Sequence, residues 1–168
     1  MNHVMVDLET VDNVPTSAIV SIGAVIFDAS GVSERTFYEV LDLQSSLDAG
    51  LTMSADTVAW WMKQSESARA VFQQKGDHAA LVLSRFGSWL PRDCKLWGNG
   101  ASFDNAILAC SYRAFRMPPP WAFWNDRCYR TAVAGLARLE RVGTHHNALD
   151  DAISQARHLV AVNPGAIK

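Results

Sequence analysis

Cysteine is scarce in this chain of 168 residues: Cys94, Cys110 and Cys128 are odd in number and no two stand in a C-x-x-C pair. They do not make a disulfide framework, and they read as reduced thiols packed mostly as small hydrophobes. Long apolar runs are missing as well. No stretch approaches the roughly 18 residues of a membrane span, and Asp7 and Glu9 interrupt the first apolar segment where a secretory leader would need continuity. The expectation is a soluble, cytoplasmic protein with no membrane contact. An excess of positive charge is also absent: 15 Lys and Arg stand against 17 Asp and Glu, a net charge of −2, with a pI near 6.2. A protein gripping duplex DNA through many phosphates is normally basic. Any nucleic acid here must be held through few phosphates, or with metal ions supplying the positive charge. Repeats, low-complexity tracts and linkers are lacking too, and "MPPPW" (117–121) reads as one rigid turn.

What is present is apolar and aromatic. The chain is 49% hydrophobic, with six Trp and seven Phe, enough for one domain spanning 1–168 with a buried core. "HVMVDLE" alternates, with Val4, Val6 and Leu8 on one face of a strand and Met5, Asp7 and Glu9 on the other. "AIVSIGAVIFD" (18–28) is nearly continuous, as a strand covered on both faces would be, and "ERTFYEVLD" (34–42) follows after a turn. Helices are expected over 54–64 and 65–74, opened by Ser54 and Ser65, and over 79–90, where Val82, Leu83, Phe86 and Leu90 form a stripe. A short strand at 94–98 leads to a helix over 102–115 opened by Ser102. A strand over 121–128, a helix over 129–139 and a last helix from Ala148 to about Val160 complete the order. The fold class is α/β: an antiparallel meander of three strands, then parallel strands, with flanking helices.

Four carboxylates draw attention. Asp7 and Glu9 leave the same face of a strand whose other face is apolar. Neighbouring desolvated carboxylates repel by several kcal/mol. Either this end of the strand is exposed, or a divalent cation sits between them, and all-oxygen ligands suit Mg²⁺ or Mn²⁺. Asp104 lies where a strand stops, a loop with two glycines follows and a helix begins. An Asp there is favoured by the helix dipole alone, but open α/β sheets also place their sites in such loops.

The segment "HHNALDDA" (145–152) sorts by position. Asn147 as N-cap places Asp150 at N3, where it can reach back toward the backbone as in a capping box. Asp151 points elsewhere, between the small Ala148 and Ala152, which would let a metal or another strand come close. His146 precedes the cap on a turn containing Gly143 and Thr144, near enough to a carboxylate cluster to take a proton from water at neutral pH. His145 reads as a surface residue.

Together these residues resemble a known pattern. Asp7-x-Glu9 in the first strand, Asn99-x-x-x-Phe103-Asp104 after a central strand and His146-x-Ala148-x-x-Asp151 near the end look like the three motifs of the DEDDh 3′→5′ exonucleases, which have a ribonuclease H-like fold. "VDLET", "DTVAWWMKQS", "WGNGASFDNAIL" and "HNALDDA" extend the similarity to a compact branch holding phage-type and exonuclease VIII-like proteins and a mycobacterial adenylate-preferring ribonuclease. The resemblance implies a two-metal phosphodiesterase using Mg²⁺ or Mn²⁺. Asp7, Glu9 and Asp151 would hold one ion, Asp7 would bridge to a second supported by Asp104, and His146 would be the general base. The partner implied is the 3′ end of single-stranded RNA or DNA, shortened with release of nucleoside 5′-monophosphates. The smaller relatives include dimers, and the oligomeric state stays open between monomer and homodimer.

For the rest of the substrate, Trp60 and Trp61 are stacking candidates, one turned inward and the other toward the site. Thr10, Trp61, Asn99 and Phe103 are expected to bind substrate. Arg127 and Arg130 would clamp a phosphate, or else pair with Asp126 on the surface. Trp121, Phe123 and Trp124 would pack the core or a dimer contact. Two other readings stay open: a non-catalytic nucleic-acid-binding module and an endonuclease on the same fold.

Overall fold

The computed structural model describes residues 2–167. In chain order the elements are β1 (His3–Thr10), β2 (Ile19–Asp28), β3 (Gly31–Asp42), α1 (Leu43–Asp48), α2 (Ala55–Trp61), α3 (Glu66–Arg69), β4 (Asp77–His78), α4 (Ala79–Trp89), β5 (Lys95–Gly98), α5 (Asp104–Ala114), β6 (Asp126–Cys128), α6 (Tyr129–Ala132) and α7 (Ala148–Val162). The six strands form one sheet in the order β4-β3-β2-β1-β5-β6. β1, β2 and β3 pair antiparallel, and β5 and β6 then add parallel to β1. This is the meander followed by parallel strands that the apolar patterning predicts.

The alternation in β1 divides the core as expected. Val4, Val6 and Leu8 enter one layer with Val82, Leu83 and Phe86 of α4 and Ile107 and Leu108 of α5. Met5 enters the opposite layer with Trp97 and with Ala152, Ala156 and Leu159 of α7. β2 contributes to both layers, Ile22 and Ala24 to the first and Val25 and Phe27 to the second, which is why its sequence is apolar almost without interruption.

α7 approaches the sheet unusually closely. A Cβ on Gly23 would lie 2.1 Å from the Ala148 carbonyl carbon, so strand and helix backbone meet directly. The small residues flanking Asp151 therefore admit β2. Asn147 caps α7 as expected, its Oδ1 accepting from the N–H groups of Leu149 and Asp150 at 3.1 Å each. Asp150 does reach back to backbone, but to the Thr144 N–H at 2.7 Å rather than to the cap residue itself.

Elsewhere the structure corrects the sequence reading. Ser54 and Ser65 do cap α2 and α3, but α2 is short, ending at Trp61, and α3 tightens after Arg69 into a 3₁₀ helix over Ala70–Gln73. Ser102 does not open α5: Phe103 holds the N-cap position, because the Phe103 and Asp104 amides both fold back onto the Gly100 carbonyl. The strand expected over 121–128 shrinks to β6, preceded by a 3₁₀ turn over 123–125. The helix expected over 129–139 ends at Ala132, and Gly135 then takes a positive φ of 76° that a continuing helix cannot accommodate. α1 and β4 have no counterpart in the apolar patterning. α1 starts where Asp42 caps the end of β3, accepting from the Gln44 and Ser45 amides. Trp121 is buried, whereas Phe123 and Trp124 are exposed.

Candidate active site

β5 ends opposite Val6, where Gly98 makes the last pair with β1. Asp7 and Glu9 therefore stand just beyond the parallel neighbour, at the carboxyl end of β1, where open sheets leave a crevice. Gly98 also seats α5. A Cβ there would fall 2.4 Å from Asn105 Oδ1 and 2.8 Å from Asp104 Cβ, so only glycine lets the first turn of α5 rest on the strand end. The Asp104 carboxylate then accepts the Leu8 N–H at 3.3 Å. From the other side α7 brings Asp151. Asp7, Glu9 and Asp151 each offer one oxygen, and these oxygens lie within 4.8 Å of one another.

All four carboxylates are buried, and the electrostatics follow. Burial, then Asp104, Glu9 and Asp151, hold the Asp7 carboxyl well above the usual carboxylate range. Burial, then Asp151 and Asp104, push Glu9 up to about 8. Burial raises Asp104 to about 7, opposed chiefly by the Leu8 N–H. Three acid oxygens this close and this dry cannot all ionise without a cation among them. Hard oxygen donors of this kind suit Mg²⁺ or Mn²⁺, so the donor set fits a divalent metal.

His146 borders the cluster. Its backbone has a φ of +63°, and its N–H donates to Asp151 Oδ2 at 3.2 Å. Its ring meets Trp60 edge-on at 5.0 Å and stacks on His145 at 3.8 Å. Burial, then the neighbouring His145, lower its pKa, so the imidazole is neutral near pH 7 and able to accept a proton. His145 is exposed, as expected, though ring nitrogens of both histidines lie within 4.8 Å of an Asp151 oxygen.

Residues 2–163 match the family model of the 3′-5′ exoribonuclease Rv2179c-like domain. The chain belongs to this family. It is a 3′-5′ exonuclease with a DEDDh-type, ribonuclease H-like architecture. Two solved structures share that fold. One is cell-death related nuclease 4 (CRN-4), at 15% identity and a TM-score of 0.60, with 94% of this chain covered and 62% of that one; this chain thus spans under two thirds of its length. The other is the nuclease domain of 3′hExo, a DEDDh family member bound to rAMP, at 16% identity and a TM-score of 0.61, covering 94% of this chain and 89% of that one. No curated protein sequence matches significantly.

In this exonuclease a cleft of about 440 Å³ adjoins the carboxylates, and Glu9, Thr10, Trp60, Trp61 and Phe103 are among its walls. The two tryptophans divide as the helix geometry predicts, but the one expected to bind substrate, Trp61, is the inward one: it is buried, its indole N–H donating to the Thr10 carbonyl at 2.8 Å. Trp60 is 42% exposed and presents its ring to the cleft. Asn99 turns its backbone toward Asp104, and the exposed Arg130 acts on the same carboxylate through space. Arg127 is engaged differently: its guanidinium donates to the Trp124 and Asp126 carbonyls, in its own loop. Nor does Asp126 form an ion pair among the described residues; its Oδ1 accepts from Asn105 and Trp121 instead.

Two site residues escaped the sequence reading. Gln155 donates to Asp7 Oδ1 at 2.6 Å, and its position four residues after Asp151 on one helix face was the available signal. Arg141 pairs with Asp151; it lies in an irregular segment, and no periodicity marks it.

Proposed function

We propose that this exonuclease removes nucleotides one at a time from the 3′ end of single-stranded RNA, releasing nucleoside 5′-monophosphates with the help of two divalent ions. The observation that carries this is the convergence of Asp7, Glu9 and Asp151 oxygens beside a neutral His146 at the carboxyl end of β1. Asp7, Glu9 and Asp151 would hold one Mg²⁺ or Mn²⁺, and Asp104, next to Asp7, would support the other. The chemistry such ions supply when bound is Lewis-acid charge at the scissile phosphate.

The chain's own residues do the rest. A ring nitrogen of His146 takes the proton of the attacking water. Water oxygen joins phosphorus as the bond to the penultimate 3′ oxygen breaks, and that oxygen leaves with a proton as the new 3′ hydroxyl. Trp60 offers its exposed face to the terminal base, with Trp61 packed against it at 5.2 Å and Thr10 and Phe103 lining the same cleft. Arg130, beside Asp104, is the better placed of the two expected arginines to meet a backbone phosphate, and Asn99 holds the turn that delivers Asp104. The family description supports RNA as the substrate. The three unpaired cysteines fit a reducing, cytoplasmic setting, and the exposed Phe123 and Trp124 offer a surface for a homodimer.

The test is digestion of matched 5′-labelled RNA and DNA oligonucleotides with Mg²⁺ and with Mn²⁺. A ladder shortening from the 3′ end of the RNA is expected, abolished by Asp7→Ala. His146→Ala should slow turnover by a factor of about 10² to 10⁴ while metal binding persists, and His145→Ala should change neither turnover nor metal binding. Activity surviving in Asp7→Ala, or cleavage of a circular substrate, would sink the proposal.

A further inference from the structure

The three clustered carboxylates already have a cation at hand. Arg141 Nη2 is ion-paired with Asp151 Oδ1. The second oxygen of Asp151 accepts the His146 N–H, and Asp7 Oδ1 accepts Gln155. Arg141 therefore takes the one Asp151 oxygen not committed to holding the site together. A divalent ion drawn to Asp7, Glu9 and Asp151 draws on the same carboxylate, and a guanidinium and a divalent ion repel each other strongly at contact range. The two occupants compete for Asp151.

The backbone beside Arg141 is fixed independently of that pair. Val142 exchanges two hydrogen bonds with Ser154 on α7, its N–H donating to Oγ at 3.0 Å and its carbonyl accepting from the hydroxyl at 3.1 Å. Thr144 is tied to Asp150. When the ion pair opens, the loop stays where it is and the guanidinium remains within one side-chain length of the centre. The Arg141 side chain is also half exposed while that of Asp151 is buried, so it reaches in from the mouth. The nearby cleft carries Glu9, Asp12 and Asp56, so an incoming phosphate meets acidic walls unless a cation stands there. A planar guanidinium is well matched to phosphate oxygens.

We propose that Arg141 is an exchangeable cation, neutralising Asp151 in the metal-free enzyme and turning to the phosphate of the bound nucleotide once a divalent ion has displaced it. The proposal rests on the metal-dependent function above. It gives Arg141 two effects of opposite sign: it opposes metal binding when no nucleotide is present, and it supports nucleotide binding when metal is present. A merely structural arginine does not produce that pair of effects.

The experiment is calorimetry of Mn²⁺ binding to the wild-type protein, Arg141→Gln and Arg141→Lys, then of adenosine 5′-monophosphate binding in saturating Ca²⁺. Arg141→Gln is expected to bind Mn²⁺ about fivefold more tightly than wild type and the nucleotide about tenfold more weakly, with Arg141→Lys between the two. Equal or weaker Mn²⁺ binding by Arg141→Gln, or unchanged nucleotide affinity, overturns the exchange while leaving the metal-dependent function standing. No Mn²⁺ binding by any of the three proteins overturns that function and the exchange with it.

Discussion

Gln155 Nε2 donates to Asp7 Oδ1 at 2.6 Å, joining α7 to β1 across 148 positions of sequence. Gln155 is itself buried, and its side-chain Oε1 has no partner among the described residues. The bond to Asp7 is thus the one hydrogen bond its side chain makes among the described residues, and it engages Oδ1 of a carboxylate in the acidic cluster. Partners that orient metal-holding carboxylates typically carry a 10- to 100-fold effect when removed. Gln155→Leu, close in volume and unable to donate, should lower metal affinity and turnover by about that factor. Calorimetric metal titration alongside oligonucleotide digestion checks it, and unchanged metal affinity would show that Asp7 needs no such support.

The adjacent tryptophans should separate cleanly by experiment. Trp61 is buried against Phe72 and bonded to Thr10, whereas Trp60 is exposed and edge-on to His146. Trp61→Ala should destabilise the fold by about 3–5 kcal/mol, the usual range for a buried Trp. Trp60→Ala should unfold within about 1 kcal/mol of wild type but raise KM on RNA by about 5- to 150-fold, since a lost base stack is worth about 1–3 kcal/mol. Urea denaturation and steady-state kinetics on both variants make the comparison. A KM defect confined to Trp61→Ala would reverse the assignment.

The legibility of this protein in its sequence follows the range of the interactions. β1 and β2 were readable because alternation and continuous burial are local patterns, and the Asn147 cap because a cap is chosen by its neighbours. The carboxylates stood out because Asp7 and Glu9 oppose the apolar pattern around them. Arg141 and Gln155 were not readable, since each acts through one long-range contact that leaves no periodic trace. The failures at Ser102 and over 129–139 have a common cause. A turn set by Gly100 overrode the serine, and an exposed segment with little to bury ended its helix near Gly135, where intrinsic preference alone suggested continuation.

Metal should stabilise this enzyme more as pH rises. In the metal-free protein burial pushes Glu9 up to about 8 and Asp7 upward as well, so the folded state keeps protons that the unfolded chain has released. The native state then binds more protons than the unfolded one, and stability falls as pH rises from about 4.5 to about 8. A divalent ion favours the ionised carboxylates and removes that penalty. The gain in Tm on adding Mn²⁺ should therefore be larger at pH 8 than at pH 5.5, with saturation at about 100 times Kd contributing about 2.7 kcal/mol. The double variant Asp7→Asn, Glu9→Gln should lose most of both the pH slope and the metal response. Differential scanning fluorimetry across pH, with and without Mn²⁺, provides the measurement, and a metal gain independent of pH would contradict the coupling.

Gly23 should matter to catalysis although it carries no side chain. It pairs with Asp7 in the sheet, and a Cβ there would lie 2.1 Å from both the Ala148 carbonyl carbon and the Leu149 nitrogen. No side-chain rotation relieves such a contact, because both partners are backbone. Gly23→Ala must push the first turn of α7 away from β2, and that turn carries Asp151 with the Asn147 cap at its start. Overpacking of this kind destabilises by about 1–3 kcal/mol. Displacing Asp151 from Asp7 and Glu9 should weaken metal binding beyond what partial unfolding explains. Gly165→Ala is the matched control, since its Cβ would come no closer than 3.7 Å to Asn163 Oδ1. Metal affinity measured well below the unfolding transition, where both variants are fully folded, is the deciding quantity: a loss confined to Gly23→Ala is expected, and full affinity in that variant would mean that α7 can shift without carrying Asp151 out of the cluster.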